Sequence, residues 1–242
     1  MQFRFKAFSL HLLASAAALT LILGALYLGW YRWPGWYLAD ATRVVLVMIC
    51  VDVVLGPTLT FIIANKNKSR RELSRDIGII VVVQLCALIY GSVSLWSGRP
   101  LYYVFSQDGL SLIQAYDVDV EQANLGRQQN AELAPHWYSL PRWVFVPPSI
   151  AAAAAKGDDV TAMPKFFRPW DNGLPLLKEQ LKKMGELRFF LPHEKKILNQ
   201  RMQAAGVPSD QSNSIAITGR RRPLLAVFDP VTLKITRILK TD

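Results

Sequence analysis

Residues 51–60 read Val51-Asp52-Val53-Val54-Leu55-Gly56-Pro57-Thr58-Leu59-Thr60. An acid, a glycine and a proline stand here in the middle of an apolar run that extends from about 42 to 64. Two more runs of the same character cover about 8–28 and 77–95, and the three are about 19–23 residues long. At 1.5 Å of rise per residue, a helix of that length crosses the ~30 Å hydrocarbon core of a bilayer. The expectation is a membrane protein. A three-helix transmembrane bundle with its N-terminus inside occupies residues 1–97. A small α+β extracytoplasmic domain with hairpins at both ends of its sequence occupies residues 98–242.

Orientation follows from the distribution of positive charge. Arg4 and Lys6 precede the first run, and Lys66, Lys68, Arg70, Arg71 and Arg75 fill the 65–76 loop. The loop between the first and second runs has only Arg32 and Arg43, beside Asp40. Short cytoplasmic loops carry the Lys/Arg excess, which places the N-terminus and the 65–76 loop inside and the C-terminal domain outside. Trp30, Tyr31, Trp33, Trp36, Tyr37 and Trp96 cluster at the expected outer interface, where amphipathic rings anchor. In a Gram-negative host this is a multi-pass protein of the bacterial inner membrane with its domain in the periplasm. The first run is read as an uncleaved anchor. It is longer than a signal-peptide core, and its small residues, Ala14 to Ala18, lie inside it rather than after it.

The net charge of +10 includes the inside-facing loop, which suits anionic lipid headgroups. Arg220–Arg222 is the tightest basic run of the domain, and an outer location argues against nucleic acid. Cys50 and Cys86 both lie within apolar runs, so they read as small bundle residues rather than a disulfide. His11, His136 and His193 are scattered, and no phosphate loop, nucleophile elbow or zinc spacing is present. No metal, cofactor or enzymatic activity is expected. Trp137, Trp143 and Trp170 are core, sit at the membrane surface, or form a binding face.

Asp52 sits near mid-membrane, where an acid costs about 2.5–3.5 kcal/mol on insertion scales and needs a partner. Met48, Asp52, Gly56 and Thr60 share one helix face. Pro57 removes a ladder donor and frees the carbonyl of Val53. Gln84 falls at the matching depth of the third run, followed by the small pair Ala87 and Gly91. On the first run Ser15, Ala18, Ile22, Ala25 and Gly29 form a similar ridge. Asp52 is then a structural hydrogen-bonding residue, a docking point for a partner helix, or part of an ion path. Transport usually needs more spans and more ionisable groups.

In the domain, two β-rich runs flank Asp108-Gly109, a strong hairpin signal, and a helix is expected around 118–125. The Pro- and aromatic-rich stretch 135–173 reads as irregular structure pinned onto a core. Residues 174–184 and 193–205 read as short helices stopped by Gly185 and Gly206. Residues 223–228 and 233–239 form a closing hairpin around Asp229-Pro230-Val231-Thr232.

These segments resemble the TfpX/TfpZ family of type IV pilin accessory proteins. The similarity lies in Val51 to Thr60, the basic Asn-Lys loop, Gln84-Leu85 and Tyr90-Gly91 of the third run, Arg99-Pro100 with the β-run after it, and Leu225 to Thr232. It is strong over about 1–115, weaker through the middle, and returns in the closing hairpin. The resemblance implies an inner-membrane, chaperone-like accessory that promotes stability, assembly or surface display of a cognate type IV major pilin. It implies recognition of the pilin's transmembrane helix and head, with Asp52, Gly56, Pro57 and Gln84 as candidate partner-binding residues. The alternative class is a membrane-anchored periplasmic sensor or ligand-binding module.

Overall fold

A computed structural model describes residues 1–64, 68–153, 159–183, 192–204, 206 and 213–240. Lys66 of the basic loop and the expected stop at Gly185 lie outside the described residues. Along the chain the helices are α1 (Gln2–Gly29), α2 (Gly35–Leu38), α3 (Ala41–Ile49), a π-helical segment (Cys50–Leu55), α4 (Gly56–Ile63) and α5 (Arg70–Ser97). After these come β1 (Pro100–Ser106), β2 (Gly109–Gln114), α6 (Val120–Gln129), β3 (Arg142–Phe145), α7 (Pro148–Ala153) and β4 (Arg168–Pro169). The chain closes with α8 (Leu174–Lys183), α9 (Pro192–Ala204), β5 (Ser214–Thr218), β6 (Leu224–Phe228) and β7 (Ile235–Leu239). The chain divides into two units. Unit 1 is Met1–Arg32 with Ala41–Gly98, and unit 2 is Trp33–Asp40 with Arg99–Asp242.

Unit 1 contains three helices long and apolar enough to cross a membrane: Gln2–Gly29, Ala41–Ile63 and Arg70–Ser97. The first and third run past the apolar stretches that define them. Many of their large side chains, such as Leu10, Leu21, Val47, Ile62, Val82 and Ile89, face outward. The polar ends are tied down locally. Ser69 and Glu72 form a capping box that starts α5. The Nε of Arg4 donates to the Ala64 carbonyl at 2.8 Å, which satisfies an orphan carbonyl at the end of α4 and puts a cation at the negative end of its dipole. At the opposite ends of α1 and α5, Trp30 and Trp96 pack edge to face at 4.9 Å, and the Tyr31 hydroxyl donates to the Leu95 carbonyl at 2.7 Å.

Unit 2 is a mixed seven-stranded sheet in the order β4-β3-β1-β2-β5-β6-β7. The Asp108-Gly109 hairpin (β1–β2) and the Asp229 hairpin (β6–β7) are both antiparallel, and both belong to this sheet. They are joined through β5, which runs parallel to β2. Trp143-Val144-Phe145, expected to be irregular, is instead β3, parallel to β1. Its burial does not alternate, with Arg142 and Trp143 half-exposed and Val144 and Phe145 buried, and it forms because a neighbouring strand is available to pair. Alternation along β1 sends Tyr103 and Phe105 to one face and Tyr102 and Val104 to the other. Leu177 and Leu181 of α8 cover the first face. Val160 and Phe167 cover the second, and Leu198 and Met202 of α9 pack on Ala216 and Leu225.

Tyr37 and Leu38 belong to the same core cluster as Phe105, Ile217 and Phe228. The segment that links the first two apolar helices is thus a piece of the sheet domain. The Leu38 carbonyl accepts from the Arg220 N–H at 2.7 Å, and Gly219 has no side chain because a Cβ there would lie 2.7 Å from that carbonyl oxygen. Two of the six aromatics read as interfacial anchors are therefore core residues: Tyr31 is 2% exposed in unit 1 and Tyr37 is 4% exposed in unit 2.

Candidate functional site

The three apolar helices meet at a polar network near their middle. Pro57 has no N–H to continue the helix ladder, and the turn before it widens into the π segment Cys50–Leu55. The Gly56 N–H reaches back to the Val51 carbonyl, five residues earlier. Such π segments are rare and mark irregular, often functional, points in helices. This one still turns Met48, Asp52, Gly56 and Thr60 inward, and all four are buried.

Across from them on α5 stands Gln84, 7% exposed. Gly56 makes room for it, because a Cβ on Gly56 would lie 2.0 Å from Gln84 Nε2. The amide Nε2 donates to the Asp52 backbone carbonyl at 3.1 Å. Its Oε1 lies 2.6 Å from His11 Nε2, and His11 Nδ1 lies 2.6 Å from Thr60 Oγ1. An amide oxygen only accepts, so His11 Nε2–H donates to Gln84. Nδ1 shares a hydrogen bond with the Thr60 hydroxyl. The bonds run from Thr60 through His11 and Gln84 to Asp52, and join all three helices. Gly91 provides a second close approach, where a Cβ would meet Met48 Cγ at 2.5 Å.

The network satisfies its members with one exception. Asp52 is 3% exposed, and its Oδ2 has no hydrogen-bond partner among the described residues. It lines a cavity of about 200 Å³ between α1 and α5, together with His11, Ala14, Ser15, Ala18 and Gln84. Of the four residues the sequence marked, Asp52 and Gln84 line this cavity. Gly56 and Pro57 are buried in internal packing and shape the site without lining it. The small-residue ridge of α1 holds at Ser15 and Ala18, whereas Ala25 is exposed and Gly29 faces open space. Sequence reasoning missed His11. The rule that flagged Asp52, an ionisable group inside an apolar span, also applied to it.

Unit 2 carries two surface features. Trp143 stacks on Tyr103 at 4.5 Å and packs against Trp170 at 5.3 Å; Trp143 and Trp170 line an apolar groove with Trp33, Phe228 and Ile238. Trp137 lies outside that groove and is 72% exposed. A polar crevice of about 380 Å³ opens at the carboxyl ends of β2 and β5, lined by Ser111, Gln114, Asp117, Thr161, Thr218 and Arg220. Arg220 pairs with Asp117 at 2.8 Å there and lies over the Tyr116 ring. Among the described residues no group of His, Cys, Asp and Glu is arranged to hold a metal ion.

The fold and the network define a class: three helices suited to a membrane, closed around a polar centre, with a mixed α/β sheet domain. The chain is 24% identical over 189 residues to the fimbrial assembly protein of serogroup I of Dichelobacter nodosus, covering 76% of this chain and 74% of that protein. It is 29% identical over 120 residues to the fimbrial assembly protein of serogroups C1 and C2 of the same organism, covering half of this chain and 92% of that one. A third, of serogroup E1, is 28% identical over 120 residues, which is 47% of its length. No protein-family model matches the chain, and no solved structure matches it.

Proposed function

We propose that this chain is a membrane-embedded accessory of fimbrial assembly, of the TfpX/TfpZ type, which binds a pilin and promotes its stability, assembly or display. The observation that carries this reading is the similarity to a fimbrial assembly protein across three-quarters of the chain. The shape of unit 1 supports it. A polar centre in an apolar bundle, with one buried acceptor left open, suits recognition of a helix rather than simple anchoring. In this reading the N-terminus and the basic 65–76 loop face the cytoplasm, where the loop meets anionic headgroups, and unit 2 lies in the periplasm. Unit 2 then recognises the pilin head, and the protein acts by binding rather than by catalysis.

The test is deletion of the gene in its own host, with surface pili and total cell pilin scored together. Loss of pili with pilin retained assigns an assembly or hand-over role, and loss of both assigns protection of pilin. No change in either sinks the reading.

The second reading, a membrane-anchored ligand-binding module, has one observation in its favour. At the carboxyl ends of the parallel strands β2 and β5 a polar crevice brings Ser111, Gln114, Thr218 and the Asp117–Arg220 ion pair together. A concave site with a few convergent polar groups suits a small ligand. A small molecule that raises the melting temperature of unit 2, in a host whose pili survive the deletion, would favour this reading.

A further inference from the structure

The cavity beside Asp52 has a shape as well as an open acceptor. Its α1 wall is His11, Ala14, Ser15 and Ala18, and its α5 wall is Val81, Gln84, Leu85 and Leu88. Both sets follow the i, i+3, i+4, i+7 spacing of a single helix face, so each wall is a stripe two turns long, about 11 Å. Asp52 lies between them. The α1 stripe, apart from His11, is made of small side chains, which lets a neighbouring backbone come close. A pair of parallel helical stripes is the imprint of a helix lying lengthwise, as in helix-in-groove recognition.

Hydrogen bonding within the site then says what that helix must carry. His11 uses both ring nitrogens, on Thr60 and Gln84. Gln84 uses its oxygen on His11 and its nitrogen on the Asp52 carbonyl. The Asp52 carboxyl oxygen Oδ2 has no partner among the described residues, at 3% exposure, in an apolar setting where an unmet polar group is costly. We propose that a fourth transmembrane helix, that of the pilin, lies in the α1/α5 groove and donates a side-chain hydrogen bond to Asp52 Oδ2. The inference rests on the fimbrial reading above for the identity of the helix, and on the geometry alone for its place and its donor. The occupant packs its own i, i+3, i+4, i+7 face on Ala14, Ser15 and Ala18, and completes a four-helix arrangement around the polar centre.

Photocrosslinking in the native host tests this with the full-length protein. A photoreactive residue replaces Leu85, which is half exposed on the groove wall, and a control probe replaces Val83, which is 60% exposed and does not line the groove. Pilin adducts are read by immunoblot and normalised to the amount of this protein in the membrane. The expected result is a pilin adduct at Leu85 at least tenfold stronger than at Val83. Ala14→Phe adds bulk only to an exposed groove position, so it leaves the bundle intact and lowers the adduct at least tenfold. Asp52→Leu lowers it similarly, and Asp52→Asn, which keeps an acceptor oxygen, retains most of it. A Leu85 adduct that is absent, consists of a second copy of this chain, or survives Ala14→Phe overturns the groove as the pilin's place. If deletion of the gene still abolishes pili, the fimbrial reading survives that result. Equal loss in Asp52→Asn and Asp52→Leu overturns the hydrogen-bond form and assigns the site to an occupant that needs a charge.

Discussion

At the scale of single residues, the bundle is specified by a few groups that exclude alternatives to the observed packing. Gly56 is one, because any side chain there enters the space of Gln84. Gly56→Leu displaces that amide, breaks its bonds to His11 and the Asp52 carbonyl, and should lower the melting temperature of the protein in detergent. Gln84→Leu removes the same two interhelical hydrogen bonds without a clash and should cost about 1–3 kcal/mol, read by the same melt. A larger loss in Gly56→Leu than in Gln84→Leu is expected, since overpacking adds to the lost bonds. Sequence alone exposed half of this centre. Asp52 and Gln84 stand out as polar residues at matched depth, but the ring that joins Thr60 to Gln84, His11, lies 41 residues before Asp52 in the chain. Nothing local to His11 states which residues its nitrogens will meet.

At the scale of elements, the second apolar helix owes its shape to Pro57 and the closing hairpin owes its shape to Asp229. The proline's missing donor was legible, but the width of the π turn that answers it depends on how α4 packs against α1 and α5. Pro57→Ala restores the donor and lets the segment tighten towards an α-helix, which rotates Asp52 relative to Thr60. Fimbrial output should fall in this variant at unchanged protein level, scored by surface pili and immunoblot. In the hairpin, Asp229 Oδ1 accepts from the N–H groups of Val231 and Thr232 and from the Thr232 hydroxyl. The Thr232 backbone N–H foremost, with the other two donors, holds the Asp229 carboxyl below the usual carboxylate range. A carboxyl lowered in the folded state stabilises fully above its unfolded value, near pH ~4, and that stability is lost as pH falls through the lower folded value. Asp229→Asn should therefore lower the melting temperature at neutral pH and flatten its decline below pH ~4, as followed by circular dichroism.

At the scale of the whole molecule, unit 2 is built from two separate stretches of chain. Leu38 is fully buried among side chains of β1, β2, β5 and β6, so Leu38→Ala should cost about 2–5 kcal/mol of unit 2's stability. A fragment of 99–242 should melt below the same fragment joined to residues 33–40, measured by thermal unfolding of both. If the pair melt alike, Tyr37 and Leu38 add nothing to the core. By itself the sequence determined the three apolar helices and the two hairpins, because each depends on runs of side chains, turn residues and caps within one segment. It also marked Asp52 and Gln84, because polar groups within an apolar run stand out wherever they occur. Only the tertiary structure decided that His11 links Thr60 to Gln84, that α1 and α5 leave a groove with an open acceptor, and that β5 joins two distant hairpins into one sheet. It decided too that Tyr37 and Leu38 of the 33–40 link belong to the core of unit 2. Each of these is a meeting of residues far apart in the chain, and the pattern within one segment cannot state which partner the folded chain will bring to it.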